Sequence, residues 1–241
     1  MKASLITTFF IWCCTVFAVH YSLAQSPVGA QTNAAIGQFN KAIGQQSLLY
    51  NGPAYDPGRS IKNNPNFKDT TAMNNGSVVY HGYVFKNIPL LYDIYQDIVA
   101  SVWVDGESKY CFLSDKLSEF NLMGRHFIRL LPDSTGRKVL KGGFYDVVYS
   151  NKLQVLLKHV KIIHIAGTYA GPNDFYETHT YYYLKKGMFY YEVSGEADML
   201  SVLKDREGEL NKYIKDSKIK FGKEPEVAMI LLASYYDKLT N

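Results

Sequence analysis

The stretch YETHTYYYLKKGMFYYEV, residues 176–193, decides the fold class of this chain. It holds two runs rich in tyrosine and other apolar residues, 176–184 and 188–193, on either side of Lys185-Lys186-Gly187. Aromatic residues favour strands, and a glycine between two such runs indicates a chain reversal. The stretch therefore predicts two antiparallel strands joined by a short turn.

The same pattern extends back along the chain to Ser77. Further apolar runs occupy 78–85, 88–95, 98–104, 110–113, 117–122, 127–131, 144–149 and 153–165. Asp105-Gly106, between two of these runs, is a strong hairpin signal. Because parallel pairing requires long crossover connections and none interrupts the runs, we expect an antiparallel meander of about nine or ten strands. One well-buried face and one partly aromatic face would fit a strongly curved sheet, a half-barrel or a barrel-like form.

The last 48 residues change from strand to helical periodicity. Leucines at 200, 203 and 210 share one stripe with Ile214, which predicts a helix over about 197–217. Phe221-Gly222 interrupts the pattern, and Pro225 is suited to the first turn of a second helix. The predicted class is therefore α+β, mainly β: a meander over 77–193 with a C-terminal helical hairpin over 194–241 packed on it as one domain.

The N-terminal residues predict export. Lys2 precedes an apolar run over 5–19, and Ser22-Leu23-Ala24 places small residues at a cleavage site between Ala24 and Gln25. This order is typical of a secretory signal peptide, and the run is shorter than the roughly 20 residues of a spanning helix. Residues 1–24 are therefore expected to be a signal peptide and 25–76 an irregular segment with one short helix. Periplasm, outer-membrane association and the extracellular medium are all open, and no transmembrane segment is expected after cleavage.

Composition restricts the classes of partner and scaffold. Two of the three cysteines lie in the signal peptide, so Cys111 alone would remain and could form no intramolecular disulfide. The formal net charge of +4 is mild, and a hydrophobic content of 47% excludes general disorder. Five lysines lie in 212–223, where acidic neighbours and the expected export favour a solvated helix end over a nucleic-acid patch.

Catalytic and metal-binding motifs are weak. The histidines form no His-Glu-x-x-His pattern, and neither a Cys-x-x-Cys pair nor an acidic calcium loop is found, so no metal or other cofactor is expected. Asp93 and Asp97 are four residues apart, and we expect both to be solvated in a turn rather than paired for glycoside cleavage. The alternative is a hydrolase site in a sheet cleft. It would require convergence of two or more of Asp93, Asp97, His159, His179 and Glu192, with Asp146 as a further carboxylate.

The tyrosines are the strongest binding candidates, since 20 of the 241 residues are tyrosine. Neighbouring residues of a strand face opposite sides, so one set on this hairpin should be buried while the other could form an exposed aromatic strip. Such a strip would suit a sugar, a hydrophobic small ligand, or a peptide or envelope protein. The alternative is that the C-terminal helices cover it. The candidate binding residues are Tyr181, Tyr183, Tyr190 and Tyr191.

Several short segments together resemble an uncharacterised family of exported Gram-negative envelope proteins. They are LYNG (49–52), GSVVYHGY (76–83), LYDI (91–94), GFYD (143–146), LLK (156–158) and ASYYD (233–237). The likeness covers most of 47–238. It implies an exported location and supplies neither an activity nor site residues. The residues and the resemblance together favour a non-catalytic binding or structural module of the cell envelope, with the envelope hydrolase as the alternative.

Overall fold

A computed structural model describes residues 48–58, 61–132, 140–166 and 173–240, together with Ala35 and Gln38. The predicted signal peptide and its cleavage site at Ala24 and Gln25 lie outside the described residues. Ala35 and Gln38 are helical and belong to a separate compact unit, Met1–Ile43, whereas the sheet and the C-terminal helices belong to the unit that begins at Gly44. Within the described residues, every helix is too short or too polar to cross a bilayer.

Within the described residues, ten antiparallel strands form one open sheet, which confirms the predicted fold class. The spatial order is β10-β9-β8-β7-β6-β5-β1-β2-β3-β4, so consecutive strands are neighbours except where β5 follows β4 and pairs with β1. The predicted hairpins around residues 105–106 and 185–187 are β3–β4 and β9–β10. The strands are β1 (Asn74–Tyr80), β2 (Tyr83–Asp93), β3 (Ile98–Val102), β4 (Lys109–Cys111), β5 (Leu117–Leu122), β6 (Arg125–Leu130), β7 (Gly143–Ser150), β8 (Leu153–His164), β9 (Phe175–Lys186) and β10 (Phe189–Glu192).

The sheet curls until two strands that are not neighbours meet. The backbone amide of Lys161 in β8 donates a hydrogen bond of 3.2 Å to the carbonyl of Ile94, in the turn that follows β2. In the strand order, β2 and β8 are separated by β1, β5, β6 and β7. This contact therefore requires strong curvature, as the sequence predicted, while β4 and β10 remain unpaired with each other and the sheet stays open.

An aromatic core lies inside the curled part of the sheet. Nine of its sixteen buried members are aromatic, and Tyr92 contacts the rings of Phe120, Phe127 and Phe144 at centroid distances of 5.2 to 6.1 Å. Phe67, from the segment before β1, adds an edge-to-face contact with Phe127 at 5.4 Å. The irregular segment thus completes this core, and its last three residues, 74–76, belong to β1, so the sheet begins slightly earlier than the sequence predicted.

A second, helical core lies against β8 and β9. The helices are α1 (Glu196–Val202), α2 (Glu207–Asp216) and α3 (Pro225–Leu239), and Pro225 starts α3 as expected. Their leucines, at positions 200, 203, 210 and 232, pack with Leu153, Leu157 and Leu184 of the strands. The helices therefore cover only one part of one sheet face.

The predicted single helix over 197–217 is wrong in one respect, because a 3-10 turn, Lys204–Arg206, divides it into α1 and α2. The Lys186 ammonium donates to the Val202 carbonyl at 3.2 Å, the group that the amide of Arg206 would reach in a continuous helix. That amide instead donates to the Leu203 carbonyl. A tertiary contact from β9 thus replaces a helical hydrogen bond.

Candidate functional site

Strand register assigns each tyrosine to a face of the sheet. Residues paired across antiparallel strands lie on the same face. Tyr183 is paired with Leu156, Tyr181 with Lys158, and Tyr190 with Lys185, so these side chains share the outer face, which lies opposite the helices. We call Tyr145, Leu156, Tyr181, Tyr183 and Tyr190 the outer tyrosine surface.

The outer tyrosine surface has a buried floor and an exposed rim. Tyr183 is 5% exposed, and its ring meets Tyr145 edge to face at 5.4 Å. Burial raises the pKa of Tyr183 to about 12, so its hydroxyl is neutral at physiological pH. Tyr181 is 43% exposed. Tyr190 is half-buried, and the Lys185 ammonium lies over its ring, 5.5 Å from the ring centroid. The surface is therefore aromatic, buried at its centre and accessible at its rim.

Tyr191 does not belong to this surface. It is paired with Leu184, whose side chain lies in the helical core, and its own ring packs against that core. The expected division of the tyrosines between two faces is therefore found, with Tyr191 on the face that the helices cover.

An ion pair between the buried Lys158 and the partly exposed Asp97 bounds one end of the outer tyrosine surface. The Lys158 ammonium lies 2.5 Å from Asp97 Oδ2, 3.0 Å from the Phe144 carbonyl and 5.2 Å from the centroid of the Tyr145 ring. Burial lowers the pKa of Lys158, and the neighbouring Asp97 carboxylate opposes that shift. Gly143, at φ +134°, allows the close approach, because a Cβ there would overlap both Asp97 Oδ2 and the Lys158 ammonium. The ion pair fastens the β2–β3 turn to β7 and β8.

Asp93 and Asp97 both lie in the β2–β3 turn, but the expectation that both are solvated is wrong. Asp93 is fully buried and accepts hydrogen bonds from the backbone amides of Tyr95 and Gln96 and from the Tyr55 hydroxyl. Asp97 also accepts a hydrogen bond from the Tyr92 hydroxyl at 2.6 Å. Each carboxylate stabilises the turn rather than facing a cleft.

Four charged or ionisable side chains form a row between the two cores. Arg125 donates two hydrogen bonds to Glu226 of α3, at 2.6 and 2.9 Å, and lies 3.4 Å from Asp146. Asp146 is 3.1 Å from His159 Nε2, and the His159 ring lies 4.9 Å from that of Phe67. No sequence motif indicated this row, since its members are distant in the chain.

The remaining hydrolase candidates lie apart from this row. His179 contacts Glu177 at 3.6 Å on β9, and Glu192 is exposed on β10. The part of the chain that the structure describes holds no group of three His, Cys, Asp or Glu side chains able to bind a metal ion. Cys111 is buried, and burial raises its pKa to about 11, which disfavours the nucleophilic thiolate.

Two surface cavities lie elsewhere on the described chain. One, of about 240 Å³, lies between the 55–71 segment and β2, and Tyr55, Asn66, Leu91 and Lys109 are among its lining residues. The other, of about 260 Å³, lies where the chain passes from α2 into α3. Neither opens onto the outer tyrosine surface.

The outer tyrosine surface is the candidate site because of its geometry alone, since comparison with known proteins adds no relative. No protein-family model matches the chain, and no curated protein or solved structure matches it.

Proposed function

We propose that this protein is exported to the cell envelope and acts there as a non-catalytic interaction module, holding a partner protein on its outer tyrosine surface. One observation carries the proposal: the exposed Tyr181 stands beside a buried aromatic floor on the sheet face opposite the helices. Exposed aromatic area of this kind is typical of interaction surfaces.

The shape of the surface favours a protein over a small molecule. Small ligands are bound mainly in concave pockets, whereas Tyr181 and Tyr190 lie along the two paired strands of one hairpin. Tyrosine suits a protein interface because its ring supplies apolar contact while its hydroxyl keeps a polar partner. Lys185 beside Tyr190 supplies a charge at the rim, where interfaces are commonly polar.

The positions of the carboxylates favour binding over hydrolysis. A glycosidase or related hydrolase requires two ionisable groups that converge on a substrate. Asp93 is enclosed in its turn, Asp97 is paired with Lys158, and Asp146 is paired with His159 and Arg125. These carboxylates are therefore engaged in contacts that hold the fold together.

Site-specific photo-crosslinking tests the proposed surface in the cell envelope. A photoreactive phenylalanine analogue replaces Tyr181 in one variant and Tyr83, on the β1–β2 hairpin, in the matched control. The two tyrosines are similarly exposed, at 43% and 48%. We expect a discrete protein adduct from position 181 alone, and a lower yield of it when Tyr190→Ala is added. Equal adducts from both positions, or none from position 181, would contradict the proposal.

Export is tested separately by the mass of the protein recovered from its own envelope fraction. We expect a chain that begins at Gln25, since Ser22 and Ala24 satisfy the small-residue requirement of cleavage. Ala24→Leu should slow processing and leave the uncleaved chain. A protein recovered only from the cytoplasm, with Met1 or Lys2 at its start, would overturn the envelope proposal and leave the crosslinking result to be judged by itself.

A further inference from the structure

The end of α2 and the connection that follows it carry a concentration of positive charge. Residues 212–223 contain five lysines and one aspartate, a net charge of +4, and the formal net charge of all 241 residues is also +4. None of the five forms an ion pair with another described residue. They are Lys212, Lys215, Lys218, Lys220 and Lys223.

Three of these lysines line a groove together with apolar side chains. The cavity of about 260 Å³ is lined by Lys218, Lys220, Lys223, Glu224 and Ser217 and by four apolar residues, Ile219, Val227, Ala228 and Leu231, which we call its floor. Val227 is 49% exposed and Leu231 39% exposed, although both belong to a helix whose other apolar residues are largely buried. Exposed apolar side chains beside unpaired cations indicate a surface shaped for a ligand that is both apolar and anionic.

We propose that this groove binds an acidic peptide segment, with an apolar side chain of the peptide on Val227 and Leu231 and its carboxylates on Lys218, Lys220 and Lys223. The charge supports an anionic partner, since unpaired lysines attract carboxylates and accelerate encounter. The concave floor favours a peptide over a flat bilayer surface, because an extended or helical segment can place a side chain into a groove.

This site is independent of the outer tyrosine surface. It lies on the helical end of the molecule, whereas Tyr181 and Tyr190 lie on the sheet face opposite the helices. Peptide binding in the groove therefore does not require binding at the outer tyrosine surface, and either surface can be inactive without the other.

Fluorescence anisotropy with defined peptides tests the groove on the full chain. The probe is a short fluorescein-labelled peptide of glutamate and leucine, compared with one of glutamate and serine and one of lysine and leucine. We expect the glutamate–leucine peptide to bind most tightly, and its affinity to fall as salt is raised, because exposed ion pairs are screened. The lysine–leucine peptide should not bind.

Matched variants separate the groove from general surface charge. Lys220→Glu with Lys223→Glu should weaken binding of the glutamate–leucine peptide roughly tenfold or more, given the usual strength of exposed ion pairs. The control, Lys62→Glu with Lys86→Glu, makes the same charge change at exposed sites away from the groove and should weaken binding much less. An equal loss in the two variants would overturn the proposal in favour of non-specific attraction.

A second pair of readouts tests the apolar floor and the alternative partner. Val227→Ser with Leu231→Ser should weaken binding of the glutamate–leucine peptide and leave binding of the glutamate–serine peptide unchanged. Circular dichroism checks that α3 stays folded.

Sedimentation with vesicles of phosphatidylcholine and phosphatidylglycerol tests a membrane as the alternative partner. Binding to these vesicles without binding to the peptide would overturn the proposal and identify the surface as a membrane contact.

Discussion

The two cores of this protein are built from different residues and enclosed in different ways. Nine of sixteen buried residues are aromatic in the core under the curled strands, whereas only two of sixteen are aromatic in the core under the helices. The aromatic core is enclosed mainly by the sheet itself, completed by Leu49 and Phe67 from the irregular segment. The helical core is enclosed by α1, α2 and α3.

The difference between the two cores shows that one sheet can support both aromatic and aliphatic packing. Large flat rings fill the space inside a curled sheet with few residues, and edge-to-face contacts stabilise them further. Branched aliphatic side chains fit the grooves between helices and strands more closely. The charged row of Glu226, Arg125, Asp146 and His159 lies at the junction, where Asp146 is paired in register with Phe127 of one core and Leu157 of the other.

The largest effects are expected from truncation at the centre of each core. Phe127→Ala should lower the free energy of unfolding by about 3–5 kcal/mol and Leu232→Ala by about 2–5 kcal/mol, since both side chains are fully buried. Chemical denaturation measures both. The fluorescence of Trp103, which packs against the aromatic core, reports on that core, and far-ultraviolet circular dichroism reports on the helices, so each core has its own probe.

The two probes also test whether the cores unfold together. We expect coincident transitions for the wild-type chain and both variants, because β8 and the charged row connect the cores. Separate transitions in either variant would show instead that the cores are independently stable units.

The next largest effect is expected where the β2–β3 turn is fastened to β7 and β8. Asp97→Asn leaves the buried Lys158 without its anion and should destabilise the fold by about 3 kcal/mol. Gly143→Ala should cost at least as much, because the added Cβ displaces the same ion pair and a φ of +134° is strained for any residue with a Cβ. The double variant should be little worse than Gly143→Ala alone, as expected when both changes remove one contact.

A glycine elsewhere serves as the control for backbone strain. Gly187 also has a positive φ, of 63°, but a Cβ there meets nothing within 4 Å. Gly187→Ala should therefore reduce stability by only about 1 kcal/mol. A loss as large as that of Gly143→Ala would attribute both effects to conformation rather than to the ion pair.

A smaller effect is expected from the contact that links the sheet to α3. Arg125 and Glu226 are each about a quarter to a third exposed, at 26% and 30%, which limits the strength of their bidentate pair. A double-mutant cycle with Arg125→Gln and Glu226→Gln should give a coupling free energy of about 1 kcal/mol. Zero coupling would remove this pair from the connection between the cores.

The smallest effect is expected at acidic pH, at the break between α1 and α2. The hydrogen bond from Lys186 holds the pKa of Asp205 below its usual range. Its stabilisation is therefore present above about pH 4 and is lost as the pH falls through the folded-state pKa. Because Asp205 is half exposed, Asp205→Asn should cost less than about 1 kcal/mol at neutral pH, and the difference should shrink as the pH is lowered from neutral to pH 2. Urea titrations at both pH values measure it, with Asp216→Asn as the exposed control.

Local sequence patterns predicted most strands and helices. Features that depend on contacts between residues far apart in the chain could not be predicted from such patterns. Alternating residues and turn signals placed both ends of the β9–β10 hairpin, and the period of two required Tyr190 and Tyr191 to face opposite sides. The pairing of β5 with β1 has no local signal, since Leu117 and Tyr80 are far apart in the chain. The break at Lys204–Arg206 likewise depends on a lysine from β9.

The candidate site also has some features that the sequence predicts and others that depend on distant contacts. The tyrosines of the outer surface were visible as a cluster in the sequence, because all but Tyr145 lie in one hairpin. Lys158 and Asp97, which bound that surface, are 61 residues apart and belong to no motif. Burial of Asp93 was also invisible locally, because its partner Tyr55 comes from the irregular segment.

The twelve consecutive residue pairs between β8 and β9 have a consequence for the order of folding. Their connection, 165–174, is ten residues long, whereas the pairing of Tyr80 with Leu117 must close a loop of 36. Since the entropy cost of closure rises with loop length, we expect the β8–β9 hairpin to form before β1 meets β5. Leu184→Ala should therefore slow refolding, while Val78→Ala should mainly accelerate unfolding. β8, whose Leu157 packs in the helical core and whose His159 ring contacts Phe67 and Phe127, would then be in place before either core is completed.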